Sequence, residues 1–483
     1  MTTEARDDNR WKALAVLSVS YLMVVLDVSI VNVALSHIAL DLKVAQADLQ
    51  WVITGYALTF GGFMLLGGRI GDLLGRKRLF MLGVGLFAFF SLLCGLATSP
   101  EMLIVARIFQ GAAAAALAPS VFSIVAVTFE EGAERNKALG ILGAVAGSGA
   151  AIGVILGGVL TEKADWRWCF FINVPIALIT LLFTSRFVRE SRADSTHRHF
   201  DAAGAVLVTG SLMILVYALT HASESGWLEP LTLGLIAVSI VLMIAFVLVE
   251  MRSKHPLVPM TFFRRRVPTG ANVIGFALGM TVQGIFLLLS LYMQFVLGYE
   301  PIKTGFAYLS LALTSIVAAG AAQALVSRIG VRTVLMVGMV TMGAGLLLLT
   351  QIGTDTSYAS GLLPGFLLIG VGLGFSFVPV SIAALAGVPA YEAGLASGLI
   401  NTNQQIGGAL GVAVLSSVAT TVTGPVNFAA LTPQNLSDLT HGYAVGLGVA
   451  AGFTLIGLIT ILVMLRGKEL KNAGQDTAVV HGM

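Results

Sequence analysis

The chain has 483 residues, 57% hydrophobic and only 11% charged, with a mean hydropathy of +0.90. A soluble globular protein carries about 25% charged residues, and a chain of this size cannot hide so much apolar surface in aqueous cores. Soluble folds are therefore excluded, the solvent is lipid, and the net charge of +3 carries no signal for nucleic acid.

Fourteen apolar runs follow in order, at roughly 12–35, 49–69, 79–98, 102–127, 138–160, 168–186, 203–221, 230–250, 270–297, 304–326, 333–351, 359–385, 394–420 and 441–466. Each is close to or above the ~20 residues that a membrane-crossing helix needs. The predicted class is thus an all-α polytopic membrane protein. The seventh and eighth runs are the two that a twelve-helix count would drop. About 280 residues then lie in the bilayer, which leaves no room for a sizeable soluble domain. No cleavable signal is expected, because the first run is too long for an h-region.

Charge fixes the expected orientation. With the N-terminus inside, 23 of the 28 Lys and Arg fall in inner segments. Four (Lys43, Lys163, Arg167 and Lys303) fall in outer ones, and Arg107 lies within a span. This split follows the positive-inside rule and predicts cytoplasmic termini, N-in and C-in. Cys94 and Cys169 make no disulfide framework. The histidines show no metal-ligand spacing, so neither a metal nor a cofactor is expected.

An internal repeat is visible at an offset of 255. Gly75-Arg76-Lys77 aligns with Gly330-Val331-Arg332, Gly143 with Gly398, and Gly153 with Gly408. The expected organisation is a six-helix bundle over 1–200, two inserted helices over 201–252 and a second six-helix bundle over 253–483, the parallel-repeat plan of transporters.

Two ionisable groups lie deep in the spans. Asp27 is the one deep carboxylate and Arg107 the one deep cation. Such groups are costly in lipid unless paired or wet, which marks them as functional candidates. At 1.5 Å per residue, Asp27 lies about 12 Å and Arg107 about 8 Å below the outer ends of their helices, with Tyr56 at a similar level. We expect Asp27 and Arg107 to couple protons and to face a shared cavity in the outer half of the first bundle, with Tyr56 and Gln110 also facing substrate; a permanent buried ion pair that only fixes helix packing is the alternative. A carboxylate whose surroundings alternate can take up a proton on one side and release it on the other. In the second half Gln283, Gln294, Asn401, Asn403, Gln404 and Gln405 are too polar to face lipid. Of these Gln283, Gln294, Asn401 and Gln405 are the expected cavity residues, and interhelical hydrogen bonding is the competing role. Phe286, Phe375 and Phe377 are either pocket lining or ordinary packing.

Several stretches together resemble the major facilitator superfamily, and within it the fourteen-helix drug:proton antiporter group. Leu26-Asp27-Val28-Ser29-Ile30-Val31-Asn32-Val33-Ala34-Leu35 is similar to that group's first-helix signature. Trp51-Val52-Ile53-Thr54-Gly55-Tyr56 resembles its second-helix start, and Arg107-Ile108-Phe109-Gln110-Gly111 its fourth-helix motif. Gly68-Arg69-Ile70-Gly71-Asp72-Leu73-Leu74-Gly75-Arg76-Lys77-Arg78 resembles the superfamily's loop between helices 2 and 3. The resemblance implies that Gly68, Asp72, Gly75, Arg76 and Lys77 gate the conformational change as a latch between half-bundles. Gly143, Gly147, Gly153, Gly157 and Gly158 resemble the fifth-helix antiporter motif, with Gly153-Val154 where the family has Gly-Pro. Gly153, Gly157 and Gly158 are thereby also implied in gating. Trp166-Arg167-Trp168-Cys169-Phe170-Phe171-Ile172-Asn173-Val174-Pro175 and Phe200-Asp201-Ala202-Ala203-Gly204 complete the match.

The expected function is proton-coupled export of lipophilic small molecules, monocations included, by a monomer in the inner (plasma) membrane. Its partners are substrate, protons and the bilayer, and antibiotic resistance is the expected phenotype. Export of one endogenous natural product or lipid is the alternative. A non-transporting sensor or scaffold is the remoter one. An enzyme would need a nucleophile–base or metal cluster, and no G-x-x-x-x-G-K-[S/T] loop supports a nucleotide-driven pump.

Overall fold

The computed structural model describes residues 3–44, 48–130, 133–192, 201–253, 256, 258, 260–388, 392–424, 426–428 and 430–465. Among these the chain forms helices and no strand. In order they are α1 (Thr3–Asp41), α2 (Trp51–Leu74), α3 (Arg76–Gly95), α4 (Pro100–Thr128), α5 (Ala133–Lys163), α6 (Trp168–Phe171), α7 (Asn173–Phe187), α8 (Ala202–Ser225), α9 (Pro230–Arg252), α10 (Arg266–Leu291), α11 (Pro301–Ile329), α12 (Val331–Leu349), α13 (Leu363–Leu385), α14 (Ala393–Thr423) and α15 (Pro433–Met464).

The short α6 and α7 together make one span, so the described residues hold fourteen helical segments long and apolar enough to cross a bilayer. The two inserted segments, Ala203–Ser223 and Pro230–Arg252, are both among them. Several helices outrun the apolar runs that mark them: α1 spans 39 residues, where hydropathy marks 12–35. Polar caps punctuate the apolar sequence and set the starts. Ser99 accepts from Met102 N ahead of α4, and Asp201 accepts from Gly204 N ahead of α8. Thr432 and Asn435 form a capping box, followed by a proline in the first turn of α15. Such caps satisfy amide donors that the first turn leaves unpaired.

Helices α1–α7 pack among themselves, and so do α10–α15. Two of the three glycine pairs of the sequence repeat play matching parts, whereas Gly143 faces open space and Gly398 sits against Leu65. Gly75 (φ +120°) joins α2 to α3, and Gly330 (φ +85°) joins α11 to α12, a left-handed backbone that favours glycine. Gly153 lets α5 approach Ser29 of α1, and Gly408 lets α14 approach Gln283 of α10. The two bundles meet along two seams, α5 with α11 and α2 with α14. Among the described residues α8 lies across the second, packing on both α2 and α14.

The two bundles are pinned together at the end of the molecule opposite the termini. Ser290 Oγ donates to Asn32 O at 2.7 Å, and Gln294 Nε2 donates to Val33 O at 3.0 Å. The Ser36 hydroxyl bonds the Gln294 side-chain oxygen, and Ile302 N donates to Glu162 Oε2 at 3.2 Å. Gly158 sits against Pro301, and Gly305 against Val154, so closely that a Cβ on either would lie 2.6 Å from the facing carbonyl oxygen. Helix α8 adds a clip here: Thr220 Oγ1 accepts from Gln50 Nε2 of the first bundle at 2.7 Å. The neighbouring Leu219 carbonyl accepts from Ser417 Oγ of the second at 3.0 Å.

Candidate functional site

A cavity of about 560 Å³ lies between the bundles on the termini side of this closure. Its first-bundle wall comes from α1, α2, α4 and α5, with Tyr21, Val24, Val28, Phe60, Met64 and Phe122 prominent. Its second-bundle wall comes from α10, α11, α13 and α14, and includes Gln283, Phe286, Tyr308, Asn401, Gln404 and Gln405. Toward the termini it opens out: a Cβ added at Gly143 would meet nothing within 4 Å, and Phe377 is exposed.

The sequence-predicted residues divide between three places. Gln283, Asn401 and Gln405 line the cavity, with Gln404. Gln283 Nε2 donates to Gln405 Oε1 at 3.5 Å, and Asn401 Nδ2 donates back to the Ser397 carbonyl at 2.8 Å. Asn403 instead packs between helices, donating to Asn272 Oδ1 at 2.7 Å. Gln294 belongs to the far-end closure rather than to the cavity, because its amide spans the gap between α10 and α1. Phe286 and Phe377 line the cavity, whereas Phe375 is outside its lining and packs, partly buried, against the core.

Asp27, Tyr56, Arg107 and Gln110 come together, but one layer behind the cavity wall, and the expectation that Asp27, Arg107, Tyr56 and Gln110 face the cavity gives way to this arrangement. The reason is helical azimuth. Tyr21, Val24, Val25, Val28 and Asn32 line the cavity from one face of α1. At 100° per residue, Asp27 points roughly 120° away from that face. Asp27 is 0% exposed and Arg107 1%. Asp27 Oδ2 accepts from Arg107 Nη1 at 2.5 Å. Its Oδ1 accepts from Gln110 Nε2 and from Asn173 Nδ2, each at 2.9 Å. Arg107 also donates to Gln110 Oε1 at 2.8 Å and, through Nε, to the Val52 carbonyl at 2.9 Å. Its guanidinium lies 4.2 Å from the centre of the Tyr56 ring, a cation–π contact.

Asn173, at the start of α7, belongs in the sequence to the Trp166–Pro175 stretch and has no separate role there. Its lone amide in an apolar run, beside the break at Ile172, was the signal. It links Asp27 to Ser91 Oγ at 2.9 Å, and Ser91 donates to the Phe170 carbonyl at 2.9 Å. One carboxylate thus ties together α1, α3, α4 and α7, with the start of α2 held through Arg107. A buried carboxylate with three donors, one of them an arginine, accepts charge-assisted hydrogen bonds at each of its oxygens. Cys94 lies 3.5 Å from Gln110 Oε1, and Cys169 sits 3.4 Å from Thr161 Oγ1; both remain thiols.

The loop motif between α2 and α3 is bound within its own bundle. Glu190, just past α7, accepts from Lys77 N at 3.1 Å and Arg78 N at 3.2 Å. Lys77 Nζ reaches the Ser185 carbonyl at 3.0 Å, and Arg76 N donates to Ser191 O at 3.0 Å. These contacts of Gly75, Arg76 and Lys77 run to residues 185–191 of the same bundle. Gly68 packs beside Pro119. The side chain of Asp72 lies outside the described residues. Of the antiporter-motif glycines, Gly153 and Gly157 receive α1, and Gly158 receives α11 of the second bundle.

A family model described as Major Facilitator Superfamily matches residues 17–412. The puromycin resistance protein of Streptomyces alboniger is 40% identical over 464 residues, covering 95% of this chain and 92% of its own. The cephamycin export protein of Amycolatopsis lactamdurans is 36% identical over 409 residues, covering 84% of each. Among solved structures, a bacterial homologue of the human lysosomal transporter Spinster superposes with a TM-score of 0.67 at 14% identity, covering 96% of this chain and 98% of that one. The chain belongs to the major facilitator superfamily. It is a multi-pass membrane protein of a transport family, not an enzyme.

Proposed function

We propose that this major facilitator superfamily chain is a proton-coupled exporter of lipophilic small molecules, working by alternating access in the plasma membrane with both termini in the cytoplasm. The observation that carries the reading is a cavity of about 560 Å³, closed at one end, with the fully buried Asp27–Arg107 pair directly behind its wall. The names of two relatives, one for puromycin resistance and one for cephamycin export, support antibiotic-like cargo. The distribution of Lys and Arg supports cytoplasmic termini, which makes the described state the cytoplasm-facing one.

Asp27 is the protonation site in this reading. In the described state its two oxygens are occupied by three donors. Those donors come from α4 and α7, while the far-end closure pulls on α1 through Asn32 and Val33. Rocking the bundles to open the far end shifts α1 against α4 and α7, lengthens these bonds and frees an oxygen of Asp27 to take up a proton. The proton is taken up from outside and released inside when the network re-forms. One unit of pH gradient supplies about 1.4 kcal/mol per proton. The two six-helix bundles move as units, and the α2–α3 loop, with Asp72, sets how readily they do so.

Proton release from the purified chain on adding substrate tests the reading. Release is expected in the native chain and lost in Asp27→Asn. Unchanged release in that variant would place the proton site elsewhere.

A further inference from the structure

We infer that the cavity selects an uncharged amphiphile and holds it apart from the protonation site, so that each exchange moves net charge across the membrane. The last step rests on the proton exchange proposed above. The first two rest on the cavity alone.

Among the described residues that line the cavity there is no Asp, Glu, His, Lys or Arg. Its two walls differ in chemistry. The first bundle presents chiefly Val24, Val25, Val28, Phe60, Met64 and Phe122, with Ser29 and Asn32 among them, while the second presents the four amides Gln283, Asn401, Gln404 and Gln405 beside apolar groups such as Phe286 and Leu311. Amides both donate and accept, so this wall suits a carbonyl, hydroxyl or amide edge, and the opposite wall suits an apolar face. An ion entering such a space loses hydration and meets no opposite charge in return. The nearest carboxylate on α1, Asp27, faces away and is already neutralised by Arg107 at 2.5 Å. A cation therefore gains little from it, and an anion gains equally little from Arg107. The aromatic rings do not form an open cage for a cation. Tyr21 is engaged edge-on with Phe122 at 5.2 Å, and Tyr308 is held between Phe286 at 4.8 Å and Phe366 at 5.6 Å.

Physical separation changes the coupling. A cation sharing the carboxylate with the proton would compete with it directly, and one-for-one exchange would move no charge. An uncharged cargo in the cavity makes no contact with Asp27 and communicates with it through the wall helices, above all α1, which carries Val28 on one face and Asp27 on the other. A proton moving in against an uncharged molecule moving out transfers one positive charge inward, so the membrane potential drives the exchange together with the pH gradient.

The test uses the full chain, in detergent for binding and in liposomes for exchange. Four probes serve: triphenylphosphine oxide and chloramphenicol as uncharged amphiphiles, tetraphenylphosphonium and ethidium as cations. At least one uncharged probe should bind at least tenfold more tightly than both cations. Gln283→Leu and Gln405→Leu should each weaken it about fivefold, the loss of one hydrogen bond. A cation that binds more tightly, no binding of either uncharged probe, or indifference to both Gln substitutions overturns the selectivity. The paired variant Asp27→Asn with Arg107→Met leaves no lone buried charge, and it should bind the uncharged probe within about twofold of the native chain while losing exchange. A loss of binding beyond tenfold in the folded variant overturns the separation. In liposomes at equal pH, a potassium diffusion potential should drive exchange of the uncharged probe. Exchange that follows a pH gradient but ignores the potential overturns the charge movement. If neither gradient drives exchange, the proton-coupled reading fails, and the binding results still decide selectivity.

Discussion

Asp27 and Val28 are neighbours in α1 that face opposite surroundings: Val28 forms part of the cavity wall, and Asp27 is sealed behind it against Arg107, Gln110 and Asn173. A rotation or shift of one helix therefore moves the wall that touches cargo and the carboxylate that holds the proton together. The coupling proposed here needs no direct contact between cargo and proton.

Removing one partner of a buried ion pair strands the other. Asp27→Asn should lower stability by about 3–5 kcal/mol and abolish substrate-induced proton release. Adding Arg107→Met should restore most of the stability and none of the release. Thermal unfolding alongside a pH-indicator assay separates the two effects.

The Tyr56 hydroxyl is buried with no hydrogen-bond partner among the described residues, whereas its ring lies under Arg107. Tyr56→Phe should leave stability and transport near native values. Tyr56→Leu should lose about 1–2 kcal/mol of cation–π stabilisation in addition to packing. Equal damage from both substitutions, measured by unfolding, would put the importance in the hydroxyl instead.

Gln294 holds the far end shut by bonding the Val33 carbonyl and Ser36. Gln294→Leu removes hydrogen bonds worth about 0.5–1.5 kcal/mol each, so the population with the far end open should rise several-fold. Gly158→Leu, which drives a side chain into Pro301, should shift it further. Distances between spin labels on α5 and α11 near this end would report the change, and unaltered distributions in both variants would contradict the assignment.

Gly75 combines φ +120° with a Cβ position only 2.8 Å from Glu190 Oε1. Gly75→Ala should cost about 1–3 kcal/mol in backbone strain and displace Glu190 from the first turn of α3. Slower transport with cargo affinity intact is expected. Lost affinity, measured by equilibrium binding, would argue against a purely conformational role.

The spans were legible because a run of about 20 apolar residues has few uses other than crossing a bilayer. The Asp27–Arg107 pair was legible for the related reason that a lone charge at that depth is too costly to keep. The repeat was legible in Gly75 and Gly330, because each turn demands a backbone that few residues adopt. Asn173 left a weaker trace, a single amide in an apolar run that could equally have bonded a neighbouring helix.

Direction was not legible. In a soluble helix the polar face marks the outside, but lipid, protein core and a greasy cavity all accept the same apolar side chains. Sequence by itself determined the number of helices, the family and the pair of buried charges, since these follow from the cost of exposing polar groups to hydrocarbon. Only the tertiary structure decided that Asp27 turns away from the cavity, that Gln294 closes the far end while Gln283 and Gln405 line the interior, and that α8 crosses the seam of α2 with α14. Those depend on how each helix is rotated against its neighbours, which hydropathy does not encode.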